Sequence, residues 1–171
     1  MKVRKVCDTG YSPDSGKGEC MKNWDKILIA VDKTPTAMNA VKYVGTIIGT
    51  LNPPHISLLY VYPEPPPNFY QTGGLLPDYE KQKKELAEQI FHESRSVLKE
   101  CGVEPENVDA VTRMASGETI SQTILEVQKE GLYGTVVVGK RGVSKAEEFL
   151  FGSISNALVH SSGDFTVWVV G

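Results

Sequence analysis

The chain is 171 residues long, with 40% hydrophobic residues, 23% charged residues and a formal net charge of −3. That length fits one domain with a real hydrophobic core, and the composition excludes a disordered or fibrous chain. The acidic balance argues against a nucleic-acid binder, which carries a clear basic excess, but leaves room for a small anionic ligand held by a local cluster of donors.

No apolar run approaches the ~18 residues that span a bilayer, so no membrane partner is expected. The first ten residues are basic and lack the apolar stretch of a secretory signal, so a cytoplasmic location is expected. In such a reducing setting Cys7, Cys20 and Cys101 are not expected to form a structural disulfide. Cys7 and Cys20 lack the tight spacing of a metal pair, and Cys101 falls on an apolar helical face where a buried free thiol is ordinary.

Residues 1–23 are rich in Gly, Ser, Asp and Lys and have no periodicity. They read as an N-terminal extension, with one domain spanning residues 24–171. Lys26 to Val31 (KILIAV) is a short apolar run typical of a strand buried on both faces. It ends at Asp32. Thr34 then suits a helix N-cap and Pro35 the first helical position. Ala37, Ala40, Val41, Val44, Ile47 and Ile48 make one buried stripe, and Gly49 with Pro53 and Pro54 stops the helix.

His55 to Tyr62 is a second strand. The Pro-rich run after it, through Gly73 and Gly74, predicts an irregular loop. A long helix follows from Pro77 to Cys101, its stripe Leu86, Ile90, Val97, Leu98 and Cys101, its other face a solvated row of charges. Val108 to Met114 is a third strand and Ser116 to Glu130 a helix carrying Ile120, Ile124 and Val127. Gly134 to Gly139 is a fourth strand with β-branched bias. Ile154, Ala157 and Leu158 mark a final helix after Gly152, and Phe165 to Val170 is the fifth strand. Strands alternating with helices specify an α/β fold, with a parallel sheet covered on both faces by helices and joined by right-handed crossovers.

In such a sheet, ligands bind beyond the carboxyl ends of the strands where strand order reverses. The loops to inspect follow the first, second and fourth strands: Asp32-Lys33-Thr34, Tyr62-Pro63 and Gly139-Lys140-Arg141-Gly142. Glycines there let backbone N–H groups approach an anion. Gly152-Ser153-Ile154-Ser155 opens the last helix, whose unpaired N–H groups and positive dipole end face the same space. Ser153 and Ser155 add hydroxyls, and Lys140 and Arg141 add charge. Each feature alone fits an ordinary turn or cap residue; their combination suits a polyphosphate. Gly134 to Lys140 fits G-x4-G-K by letter count, yet its four middle residues are strand and Arg141 replaces the hydroxyl residue of a Walker loop. No G-x-G-x-x-G follows the first strand.

Gly139-x2-Gly142-x9-Gly152-Ser153 resembles the G-x2-G-x9-G-[S/T] pattern of the ATP-binding branch of the universal stress protein (UspA-like) family. KILIAVD, VVVGKRG and FLFGSIS carry the likeness over residues 24–171. The resemblance implies an adenine-nucleotide α-hydrolase-like sheet of five strands in the order 3-2-1-4-5, with ATP across the switch point. It implies that Ala30, Val31 and Asp32 border the nucleotide, Asp32 touching the ribose or a phosphate-bound Mg2+ or Mn2+. The Val61 backbone would read the adenine edge, and Val138, Gly139, Arg141 and Gly142 would approach the phosphates. Gly152, Ser153, Ile154 and Ser155 would donate to them. The resemblance also implies a homodimer in which Phe165 to Val170 pairs antiparallel with its copy.

An adenylyl transferase or ATP pyrophosphatase of the wider superfamily would carry an H-x-G-H or S-G-G-x-D-S signature, and neither occurs. An empty dimeric scaffold would lack the glycine spacing. No residue beside the phosphate loop has the character of a general base. Binding in a stress or signalling role, with slow hydrolysis at most, is the expectation.

Overall fold

The structure is a computed structural model that describes residues 23, 25–48, 55–140 and 153–171. In chain order its elements are β1 (Lys26–Ala30), α1 (Pro35–Ile48), β2 (His55–Pro63), α2 (Pro67–Gln71), α3 (Leu76–Glu100), a 3-10 turn (Pro105–Asn107), β3 (Val108–Ala115), α4 (Ile120–Gly131), β4 (Thr135–Gly139), α5 (Ser153–Ser161) and β5 (Thr166–Val170). The expected stop at Gly49, Pro53 and Pro54 lies outside the described residues, as do Cys7, Cys20 and Trp24.

The five strands form one parallel sheet in the order β3-β2-β1-β4-β5. This is the 3-2-1-4-5 arrangement that the family resemblance implied. The chain therefore works outward from β1 through β2 and β3, then crosses back to β4 and β5. Strand order reverses between β1 and β4. The amino end of the sheet is tied together by Asn23, whose carbonyl accepts from the Lys26 N–H (3.0 Å) and the Gly134 N–H (3.2 Å).

Period-two alternation sends the strand side chains into two cores. Ile27 and Ile29 of β1, Ile56, Leu58, Tyr60 and Tyr62 of β2, and Val137 of β4 pack with α1 and α3. Leu28, Leu59, Val136 and Val138 face the other way, against Ile124 and Val127 of α4 and Leu158 of α5. Leu28 and Ile29 are fully buried; truncating either to alanine would cost about 2–5 kcal/mol. The one hydroxyl on this side of β2, that of Ser57, meets the Tyr133 hydroxyl at 2.9 Å.

Three local expectations change. The Pro-rich run after β2 is not wholly irregular, because it contains α2. Proline is tolerated at a helix start, where its missing N–H would have no partner anyway. Pro66 is extended (φ −64°, ψ 153°) with Pro67 opening the helix, and Phe69 anchors it edge-on to Tyr79, ring centroids 5.4 Å apart. Helix α4 starts at Ile120, not Ser116. Gly117 has φ +68°, and a reciprocal capping box between Thr119 and Gln122 sets the true start.

The stripe of α3 also differs. Its buried residues are Tyr79, Ala87, Ile90, Phe91, Ser94 and Leu98, with Leu86 and Val97 only partly covered. Cys101 is the C-cap residue and half-buried. A Cβ built on Gly45 of α1 would stand 2.8 Å from the Cys101 Cβ, so the glycine is what lets the two helices close there. One charge on the outer row has a second contact: the Lys83 ammonium sits over the Tyr79 ring, 4.9 Å from its centroid.

Candidate functional site

The carboxyl ends of β1, β2 and β4 open into a cleft of about 690 Å³, counting its open mouth. Its sheet side is made by Ala30 and Val31 at the end of β1, Leu59 and Val61 of β2, and Val138 and Gly139 of β4. The start of α1 closes one flank with Thr34, Thr36 and Ala37, next to Asp32. The start of α5 closes another with Ser153, Ile154 and Ser155, and Ile120 and Ile124 of α4 complete the apolar wall.

Of the residues singled out from the sequence that fall among the described ones, Ala30, Val31, Asp32, Val61, Val138, Gly139, Ser153, Ile154 and Ser155 line this cleft, and Lys140 is not among its lining residues. Arg141, Gly142 and Gly152 lie outside the described residues. The sequence placed Thr34 in a loop to inspect but gave it only a capping role, and it missed Thr36, Ala37, Leu59, Ile120 and Ile124 as cleft residues. The isoleucines were assigned to a helix core stripe, and they do belong to it, at its upper end. Two hydroxyl residues in the first turn after Asp32 were the signal available for the threonines.

Two helix N-termini thus border one cleft; at α1, Pro35 brings no N–H, and those of Ala37 and Met38 are taken up by Thr34. At α5 the hydroxyl residues are Ser153, exposed, and Ser155, 2% exposed. At α1 the arrangement is an Asx turn: Asp32 Oδ1 accepts from the Thr34 N–H at 2.8 Å and from the Thr34 hydroxyl. Asp32 Oδ2 stands outside that turn. The Thr34 hydroxyl oxygen accepts in turn from the Ala37 N–H at 3.3 Å, capping α1 as expected. Beneath this flank, burial first, then the neighbouring Tyr79 and the Asp32 carboxylate, push the Tyr60 hydroxyl above the ordinary phenol range. Tyr60 therefore keeps its proton at neutral pH.

Among the described residues no group of three or more His, Cys, Asp and Glu is placed to hold a metal ion. No helix among them is long and apolar enough to cross a membrane. The histidines are scattered. His55 at the opposite end of the sheet contacts Asp109 at 2.6 Å, both side chains being substantially exposed.

A parallel α/β sheet with its cleft at the switch point defines the class of protein. A sequence model of the universal stress protein family matches residues 23–171. The chain belongs to that family. No curated protein sequence matches it. Among solved structures it is similar to the universal stress protein UspA from Lactobacillus plantarum (16% identity, TM-score 0.69, covering 87% of this chain and 99% of that one). It is also similar to a universal stress protein solved in complex with cAMP (17%, TM-score 0.66, 87% and 98%). A third is the universal stress protein from Archaeoglobus fulgidus in complex with dAMP (16%, TM-score 0.57, 85% and 97%). At these identities the likeness is one of fold.

Proposed function

We propose that residues 24–171 form an ATP-binding universal stress domain that acts as a nucleotide-dependent homodimer in stress response or signalling. The observation that carries this reading is the cleft itself. It gathers Asp32, Val61, Gly139, Ser153 and Ser155 from four separate elements at the switch point of the sheet. An apolar slot beside Leu59, Val61, Ile120 and Ile124 suits a purine. The α5 N-terminus beside Ser153, next in sequence to the glycine motif, suits phosphates. That two solved relatives hold cAMP and dAMP supports an adenine nucleotide as the ligand class.

Asp32, with one carboxylate oxygen outside the Asx turn, suits either a ribose hydroxyl or a phosphate-bound Mg2+ or Mn2+. The residues on the page offer no dedicated base, and the role proposed is binding, with slow hydrolysis at most. The edge position of β5 supports pairing with a second copy of the chain.

The test is calorimetric titration of the intact protein with ATP, ADP, AMP and cyclic AMP in the presence of Mg2+, repeated on Gly152→Val. ATP binding in the wild type, and a loss of about tenfold or more in the variant, is expected from blocking close backbone approach to the phosphates. Equal affinity in the two proteins, or no binding by the wild type, would remove the proposal.

A further inference from the structure

The hydroxyl groups at the start of α1 run in one direction, and that direction restricts what they can bind. A carboxylate has no proton to give. The contact between the Thr34 hydroxyl and Asp32 Oδ1 therefore uses the Thr34 proton. With that proton committed, and the Ala37 N–H already donating to the same oxygen, Thr34 meets Thr36 as an acceptor. The 3.1 Å contact between the two threonine hydroxyls is then a donation from Thr36 to Thr34. The chain of protons runs Thr36 to Thr34 to Asp32, and the Thr36 oxygen is left with lone pairs alone.

Thr36 lines the cleft beside Asp32 and Gly139. It therefore presents an acceptor to the ligand, as Asp32 does. An acceptor pair repels a phosphate oxygen and welcomes a hydroxyl donor. The opposite flank, at the α5 N-terminus, carries the first backbone N–H groups of that helix. The cleft is thus polarised, with side-chain acceptors at α1 and backbone donors at α5.

From this polarity we infer that Thr36 is a specificity-determining residue that accepts a hydrogen bond from a ribose hydroxyl of the bound nucleotide. This rests on the nucleotide reading above and deepens it. Asp32 takes its place on the sugar side of the cleft, and its grip by Thr34 keeps the acceptor array in register.

The experiment compares ATP, 2′-deoxy-ATP and 3′-deoxy-ATP by calorimetry on the intact protein in EDTA-containing buffer, which removes any contribution of a divalent ion. The proteins are wild type, Thr36→Val, which keeps the shape and removes the hydroxyl, and Thr36→Ser, which restores it. Melting curves confirm that all three are folded. The wild type is expected to bind at least one deoxy analogue about tenfold more weakly than ATP, the scale of one lost hydrogen bond. Thr36→Val should bring ATP down to the level of that analogue, and Thr36→Ser should recover the preference. Nucleotide binding with no preference in the wild type, or with the same preference in Thr36→Val, overturns the inference and leaves the nucleotide reading standing. A preference that appears only when Mg2+ is added overturns it in favour of a cation. Failure to bind any of the three nucleotides, with or without Mg2+, overturns both.

Discussion

Gly139 and Thr36 meet so closely that a Cβ built on the glycine would stand 2.5 Å from both the carbonyl carbon and the oxygen of Thr36. The first glycine of the G-x2-G-x9-G-S pattern therefore has a packing role of its own. It lets the first turn of α1 lie against the end of β4. Because the obstacle is backbone, no rotamer change can relieve it. Gly139→Ala is expected to destabilise the fold by about 1–3 kcal/mol, the usual cost of overpacking. Urea unfolding monitored by circular dichroism measures this; an unchanged midpoint would show that α1 moves away at no cost.

At the outer edge of the sheet, Thr166 donates to the Gly134 carbonyl and Val170 accepts from the Lys140 N–H. In a parallel ladder alternate residues of β5 thus face β4, which leaves the N–H and C=O of Val167 and Val169 pointing away from the sheet. A proline at Val169 removes one outward donor without breaking a bond to β4. If β5 pairs with a second copy, sedimentation will give the two-chain mass for the wild type and the one-chain mass for Val169→Pro. The same mass for both proteins would exclude this edge as the interface.

Glu126, on the exposed face of α4, stands among other carboxylates. The Glu118 carboxylate, and to a lesser degree slight desolvation, a side-chain hydrogen bond that protonated Glu126 donates to Glu118 and the charge of Glu130, raise the Glu126 pKa above the ordinary carboxylate value against the opposing pull of Lys129. A carboxyl raised in this way favours the folded state below the unfolded carboxylate range, and the advantage is lost as pH climbs through the raised value. At neutral pH the repulsion is fully in place. Glu126→Gln should therefore raise the melting temperature at about pH 7 and make no difference near pH 3, where the unfolded carboxyl is also protonated. Salt should shrink the gain at neutral pH. A gain of equal size at both pH values would show that charge is not its cause.

The sheet was legible because KILIAV and TVVVG are apolar runs too short for helices and closed by turn residues, and because stripes such as Ala37 to Ile48 repeat at helical spacing. Strand order was a different matter: it came from family resemblance, since the periodicity of a strand does not name its neighbours. Helix α2 was hidden because proline marks both a break and a helix start, and only the packing of Phe69 on Tyr79 separates the two. The early start given to α4 came from ignoring the capping box at Thr119 and Gln122. Of the motif residues that are described, all but Lys140 border the cleft, while Thr36, Leu59, Ile120 and Ile124 border it with no motif to mark them. The threonines of α1 escaped because a cap residue and a ligand-facing residue look alike until their protons are assigned.

Asn23 binds both Lys26 and Gly134 through its carbonyl, and this has a consequence for how the protein is tethered. The chain enters the domain at the amino ends of β1 and β4. A strand of five residues separates that entry from the cleft by roughly 17 Å along the sheet. A partner joined directly to Asn23 sets out from the side facing away from the cleft. Holding the protein at Asn23 itself leaves the mouth of the cleft directed outward, toward whatever is offered in solution.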